Sequence, residues 1–446
     1  MRCLPFSLLL FIAGPAPATG APLSELAARG KAVMAAAQCN RCHAVTDLSG
    51  AAGLAPADRA MHCVDCHRWI LGTKGDDKAI ARQRLEFPDW DRYLENIEHF
   101  VRLPDLGTLT RRVDPRFVRR FLDAPVDLRP HLDESMIPLR LSAADKDAVV
   151  AYLVALGGEA VAGPAGDATA GPAPGSVAIE AGRALFVRRG CPTCHLVGNA
   201  RLGGGFDLAF YRAMRAAIPV GDVAAPVISA PNLRFVRARM ARAGLVRFIE
   251  DPAAVDPRTV MPKPSLEPGD AERIADFLLF APIDFAGRTA PDPAPEVPML
   301  QREVTYDEVF DEVLGRICVH CHMNPTSNNG DGGAGNTGGL GFAGLGLDLE
   351  TYAGLKRGMV RDGKPQSVLA PARPGEAPLL LEVLLRRQRE ASRDRRLPFA
   401  DAPAAGVGPD PAHPGMPMGL PPLDPARLAL VKTWVAQGAP GPLSER

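Results

Sequence analysis

Cys191-Pro192-Thr193-Cys194-His195 is the stretch from which the chain is best read. Two thiols stand one helical turn apart and an imidazole follows the second directly. The pattern recurs at Cys39-Asn40-Arg41-Cys42-His43, at Cys63-Val64-Asp65-Cys66-His67 and at Cys318-Val319-His320-Cys321-His322. Eight of the nine cysteines belong to these motifs, and the ninth, Cys3, lies near the N-terminus.

Cys-x-x-Cys-His is the attachment pattern of a c-type haem. The two thiols reach the two vinyl groups along one porphyrin edge, and the following His is the proximal iron ligand. Cys-x-x-Cys pairs also serve zinc sites and redox dithiols. Zinc needs two further ligands per pair, and these pairs are far apart in sequence. A disulfide framework suits a small secreted chain. The His after every pair favours haem, so we expect four covalent haems, held by Cys39, Cys42, Cys63, Cys66, Cys191, Cys194, Cys318 and Cys321, with His43, His67, His195 and His322 as proximal ligands.

The chain has 446 residues, enough for about three ordinary domains. Lys plus Arg and Asp plus Glu are each 51, so no charge excess calls for nucleic acid or an anionic membrane. Gly and Pro are each 44, which implies many loops. Residues 1–20 read as a signal peptide: Arg2, an apolar run from Leu4 to Ala13, then Ala16, Ala18 and Gly20. That run is too short to span a bilayer and no later run is long enough. The expectation is an exported periplasmic protein with no integral membrane segment after cleavage.

The remainder divides into 21–159, a linker at 160–176, 177–285, a linker at 286–300, and 301–446. In the first segment, helical spacing from Leu23 to Met34 leads into Cys39. Ser142 with Asp145 three residues on reads as a helix cap, followed by an apolar face at Ala148, Val149, Tyr152, Leu153 and Leu156. In the second, Glu180 to Phe186 leads into Cys191. Pro231-Asn232-Leu233, Leu245 to Ile249 with Asp251-Pro252, Met261-Pro262 and a helix over Asp270 to Phe280 follow. A helix, the haem motif, a Met-Pro loop and a terminal helix resemble the class I cytochrome c family. The resemblance implies an all-α fold: three tandem cytochrome c-like helical domains joined by Pro/Gly/Ala-rich linkers. It also implies a loop Met as distal ligand: Met136 in the first segment, where Ile137 intervenes before the usual Pro, and Met261 in the second. Met214 and Met240 read as core or surface. Arg234 and Arg237 are weak candidates for a haem propionate.

The first segment carries two motifs, and one Met loop cannot serve two irons. His99, in a helical-looking run from Trp90, is the foremost remaining distal ligand, with His131 and His62 as alternatives; a bis-His iron sits at lower potential than a His/Met iron. The third segment opens on an amphipathic run from Val304 to Ile317. Its glycine-rich stretch, Gly330 to Gly346, lacks the Lys-Ser/Thr of a phosphate loop and reads as a flexible excursion. Leu347-Asp348-Leu349, Pro374 to Leu381, Met416-Pro417, Pro421-Pro422-Leu423, Trp434 and Gly438-Ala439-Pro440 resemble planctomycete-type cytochrome c domains, which implies Met416 as distal ligand. Met418 and His413 are its neighbours and alternatives.

The expected function is electron transfer between redox protein partners. Three fused domains also resemble the cytochrome subunits of periplasmic alcohol and sugar-acid dehydrogenases, from which a fourth motif departs. The alternative is a haem enzyme of peroxidase or small-oxyanion type, with one open iron in the first segment and an acid or base among His62, His99 and His131. Arg111, Arg112, Arg116, Arg119 and Arg120 form a basic run that reads either as a solvated face or as a docking surface for an acidic partner.

Overall fold

The computed structural model describes residues 24–45, 48, 63–97, 100, 102–123, 125, 128–129, 132, 134, 136–137, 139–158, 173–198, 202, 225–282, 296–324, 334–339, 342–392 and 413–442. His62, His99, His131, Met214, the leader and most of both linkers lie outside these. Helices dominate what is described. No described helix is long and apolar enough to cross a membrane.

The first and second segments repeat one device. Helix α1 (Glu25–Ala36) starts at Ser24, whose side chain accepts from the Ala27 N–H, and ends just before Cys39. It crosses the helix capped by Ser142, for which the later label α6 (Ala143–Gly157) is used; Ser142 accepts from the Asp145 N–H, as the spacing predicts. The crossing is close because Gly30 has no side chain: a Cβ there would stand 1.9 Å from the Ala148 carbonyl oxygen and 2.8 Å from the Tyr152 Cβ. In the second segment α7 (Ser176–Arg188) crosses α9 (Asp270–Phe280) in the same way. A Cβ on Gly182 would stand 2.0 Å from the Arg273 carbonyl oxygen and 2.9 Å from the Phe277 Cβ. Gly30 precedes Cys39 at the interval by which Gly182 precedes Cys191.

Between these lie α2 (Cys63–Gly72), α3 (Asp77–Glu86), α4 (Trp90–Asn96) and α5 (Pro115–Asp123) in the first segment, and α8 (Arg242–Glu250) in the second. Helices α2 to α4 form a lobe with its own aromatic core. Trp69, Phe87 and Trp90 meet at ring separations of 4.9–5.8 Å, and Ile70 is buried beside them.

In the third segment α10 begins as an α-helix over Tyr306–Val309 and continues with the wider π geometry over Phe310–Cys318. It packs against α13 (Pro425–Ala436), which Asp424 caps and Pro425 opens. Val309, Val313, Leu428, Val431 and Trp434 are fully buried there. Helices α11 (Tyr352–Arg357) and α12 (Leu379–Ser392) complete the layer. The all-helical expectation needs one amendment. Gly338–Gly339 pairs with Phe342–Ala343, and Met359–Arg361 pairs with Lys364–Gln366, both antiparallel. The second hairpin turns on Asp362 (φ 50°) and Gly363 (φ 72°), the residues a tight two-residue turn requires.

The segments are not beads on a string. Asp114 N–H donates to the Arg239 carbonyl (2.7 Å) and Asn232 N–H to the Leu128 carbonyl (2.9 Å), tying the first segment to the second. Arg112 pairs with Asp256 at 2.8 Å in a largely buried seam, Thr108 reaches the same carboxylate, and Asp105 pairs with Arg258. Phe235 of the second segment packs in the core of the first.

Candidate haem-holding site

The helix crossings deliver each motif to one place. Cys39–Arg41 and Cys191–Thr193 are single tight turns that follow α1 and α7. Gln38 and Gly190, just before them, both have positive φ and reverse the chain so that the motif faces inward. Cys63 and Cys66 lie on the first turns of α2, and Cys318 closes the π stretch of α10. All eight motif cysteines and His43, His67, His195 and His322 line one continuous cavity of about 2560 Å³. Ordinary small-molecule pockets span roughly 300–1,000 Å³. Met136, Met261 and Met416 line the same cavity, as do Met418 and His413.

Two of the motif histidines are held by backbone carbonyls. His43 Nδ1 lies 2.9 Å from the Pro104 carbonyl and His195 Nδ1 lies 2.9 Å from the Pro231 carbonyl. A carbonyl only accepts, so Nδ1 carries the proton in both rings and Nε2 keeps its lone pair for a metal. Burial lowers the pKa of His195, against the Pro231 carbonyl, and that of His322 to about 4, against the Leu347 carbonyl. Both rings are therefore neutral at pH 7, the ligating form.

Most of the motif thiols are not poised as nucleophiles; the exception is Cys63, which the Cys42 thiol beside it holds below the ordinary thiol range. Burial pushes Cys39 and Cys191 up to about 11, Cys318 to about 12 and Cys321 to about 11. A redox-active dithiol needs the opposite shift. Among the described residues no three His, Cys, Asp or Glu side chains converge on a point that a metal ion could occupy. The donor set, the neutral imidazoles and the large cavity fit a covalently held porphyrin, which these thiols and histidines would hold.

The Met loops are fastened to their segments. Met261 N–H donates to Thr259 Oγ1 (3.2 Å). Met416 N–H donates to the Val383 carbonyl (2.9 Å), and Gly415 N–H to Glu390 Oε1 (2.8 Å), which straps that loop to α12. Met240 packs against the second core, as the sequence suggests.

Three readings need correction. The Arg237 guanidinium is spent on the Leu278 and Ala281 carbonyls at the end of α9 (3.2 and 2.5 Å), so it is not a propionate partner. The cavity is lined by Arg112, Arg129 and Arg239 instead. Burial and the neighbouring arginines push Arg129 down to about 10 and Arg239 down to about 9. Arg112 follows Pro104 at the interval by which Arg239 follows Pro231, a signal present in the sequence once the two histidine-holding prolines are known. Much of the basic run is engaged within the chain: Arg111 bonds the Gly157 carbonyl, Arg112 pairs with Asp256, Arg116 with Asp114, and Arg119 with Asp123 and Asp147. Finally, the described part of the glycine-rich excursion packs on the fourth motif. Gly335 N–H donates to the Cys321 carbonyl (2.5 Å), and a Cβ on Gly335 would stand 2.6 Å from the His322 ring.

Compared with known proteins, the chain matches no family model, no curated protein and no solved structure.

Proposed function

We propose that this protein is an exported tetrahaem c-type cytochrome that carries electrons between redox protein partners, built from three cytochrome c-like segments. The observation that carries the reading is the gathering of all four Cys-x-x-Cys-His motifs, with three loop methionines, around one cavity. Covalent haem supplies a one-electron iron couple at each motif. The chain's own residues do the rest. The paired thiols fix each porphyrin edge, and the Pro104 and Pro231 carbonyls fix His43 and His195 in one tautomer. The apolar walls would keep water from the bound group, and Arg112, Arg129 and Arg239, which line the cavity, would set positive charge against its carboxylates. Met261 and Met416 are the proposed distal ligands for the third and fourth motifs, and Met136 and His99 those for the two motifs of the first segment, in either order.

The test is a count. Pyridine haemochrome analysis of protein produced with c-type haem maturation should give four haems per chain. Cys191→Ala/Cys194→Ala should give three. A wild-type chain that carries no haem under those conditions sinks the reading.

A further inference from the structure

Helix α12 carries a charged pair where a core-facing helix carries apolar side chains. Val383, Arg387 and Glu390 stand at i, i+4 and i+7, one stripe of the helix. Arg387 and Glu390 pair at 3.4 Å, and their side chains are only 5% and 6% exposed. Burying two charges is costly unless their pairing and further hydrogen bonds offset it. Further bonds go to the loop from His413 to Leu420. Glu390 Oε1 accepts from the Gly415 N–H (2.8 Å), and Arg387 Nε donates to the Leu420 carbonyl (2.6 Å). Beside them Arg386 Nη1 donates to the His413 carbonyl (2.8 Å), and the Val383 carbonyl accepts from the Met416 N–H (2.9 Å).

The loop is thus held by its backbone on both sides of Met416. Pro414 and Pro417 have no N–H, and α12 takes the two donors that lie between them. The approach is close: a Cβ on Gly415 would stand 2.3 Å from the Arg387 amide nitrogen. Three side chains of this loop that could ligate a metal line the cavity: His413, Met416 and Met418. A loose loop could present any of them. Fastened as it is, His413 is exposed, while Met416 packs against the core of the third segment. An apolar strap would hold the loop at no desolvation cost, but directional hydrogen bonds fix its register residue by residue.

We propose that Arg387 and Glu390 are a positioning pair: by clamping the loop backbone at Gly415 and Leu420, they decide that Met416, and neither His413 nor Met418, serves the fourth motif. This rests on the haem reading above.

The test uses the full-length, haem-loaded protein, with haem counted in every sample. Met416→Ala first measures the share of Met416 in the far-red band that a thioether gives a ferric haem. Glu390→Gln, close in shape, removes the negative charge beside the buried Arg387 guanidinium. Imidazole should then displace the Met416 share at about tenfold lower concentration than in the wild type, the equivalent of one hydrogen bond lost. Glu390→Ala should lose that share without added imidazole, and amide exchange at Gly415 and Met416 should quicken in both variants. If both variants carry four haems, keep the Met416 share and titrate with imidazole as the wild type does, the positioning pair is overturned and the haem reading stands, even where the melting temperature falls. A Met416→Ala spectrum identical to that of the wild type, at four haems, overturns the ligand assignment and the pair with it. A chain without haem overturns the haem reading itself. The Glu390→Gln titration decides the matter if Glu390→Ala fails to accumulate.

Discussion

At the scale of single residues, the ligand loops and the glycine that touches His322 give the sharpest expectations. A thioether ligand holds a haem at higher potential than a second imidazole does. Met261→His should therefore lower the potential of one haem and leave the others in place, as read by spectropotentiometry. If all four midpoints stay where they were, Met261 is not a ligand. Gly335 has room for no side chain, because its Cα faces the His322 ring. Gly335→Val should shift the spectrum of a single haem at an unchanged haem count. A wild-type spectrum would mean that the ring and the 334–337 turn do not press on each other. Asp270 shows how charge is used away from the cavity. The Arg189 and Arg273 guanidiniums (2.7 and 2.9 Å) hold its carboxyl down to about 2. A depressed folded value means the stabilisation is present above the ordinary 3.8 and is lost as pH falls towards 2. The stability gap between the wild type and Asp270→Asn should accordingly close across that window in acid-unfolding curves.

At the scale of elements, the two glycine crossings are the parts that tolerate least. Overpacking a close contact costs about 1–3 kcal/mol. Gly182→Ala places its methyl against backbone rather than against a side chain that can swing away. We expect a loss at or above that range in denaturant titration, and an unchanged midpoint would refute the crossing. The crossings also show what could be read in advance. Helices α1, α6, α9 and α13 were legible because Ser142 with Asp145, Asp424 with Pro425, and the apolar periodicity around Tyr152 are local signals, and Asp270–Phe280 forms a helix over the expected span. The Asp362-Gly363 turn is an equally local signal. What a local reading cannot supply is partnership. Nothing beside Arg237 in sequence says that its guanidinium ends on carbonyls of α9, and nothing beside Gly335 says that a histidine ring lies against it. The proposed distal residue His99 falls outside the described residues, so its place stays an expectation.

At the scale of the molecule, the seam makes the first and second segments one mechanical unit, while the core of the third is built from its own residues. Calorimetry should resolve more than one transition, with the two-state enthalpy below the measured one. A single two-state peak would mean that the third segment is fused as tightly as the other two. The seam itself can be probed at Asp256, which faces Arg112 with little access to water. Removing one partner of a buried pair costs about 3–5 kcal/mol. Asp256→Ala should therefore lower the transition of the joined segments and leave that of the third unmoved.

The contacts of Asn96 with Arg316 and of Tyr93 with His320 have a bearing on how the molecule is made. A chain synthesised from its N-terminus presents Tyr93 and Asn96 early and their partners only when most of the protein has followed. Contacts so distant in sequence close late, because the loop between them must be ordered first. The lobe of α2 to α4 thus stays uncovered on this side during synthesis, and the arrival of α10 is what shuts the door on it.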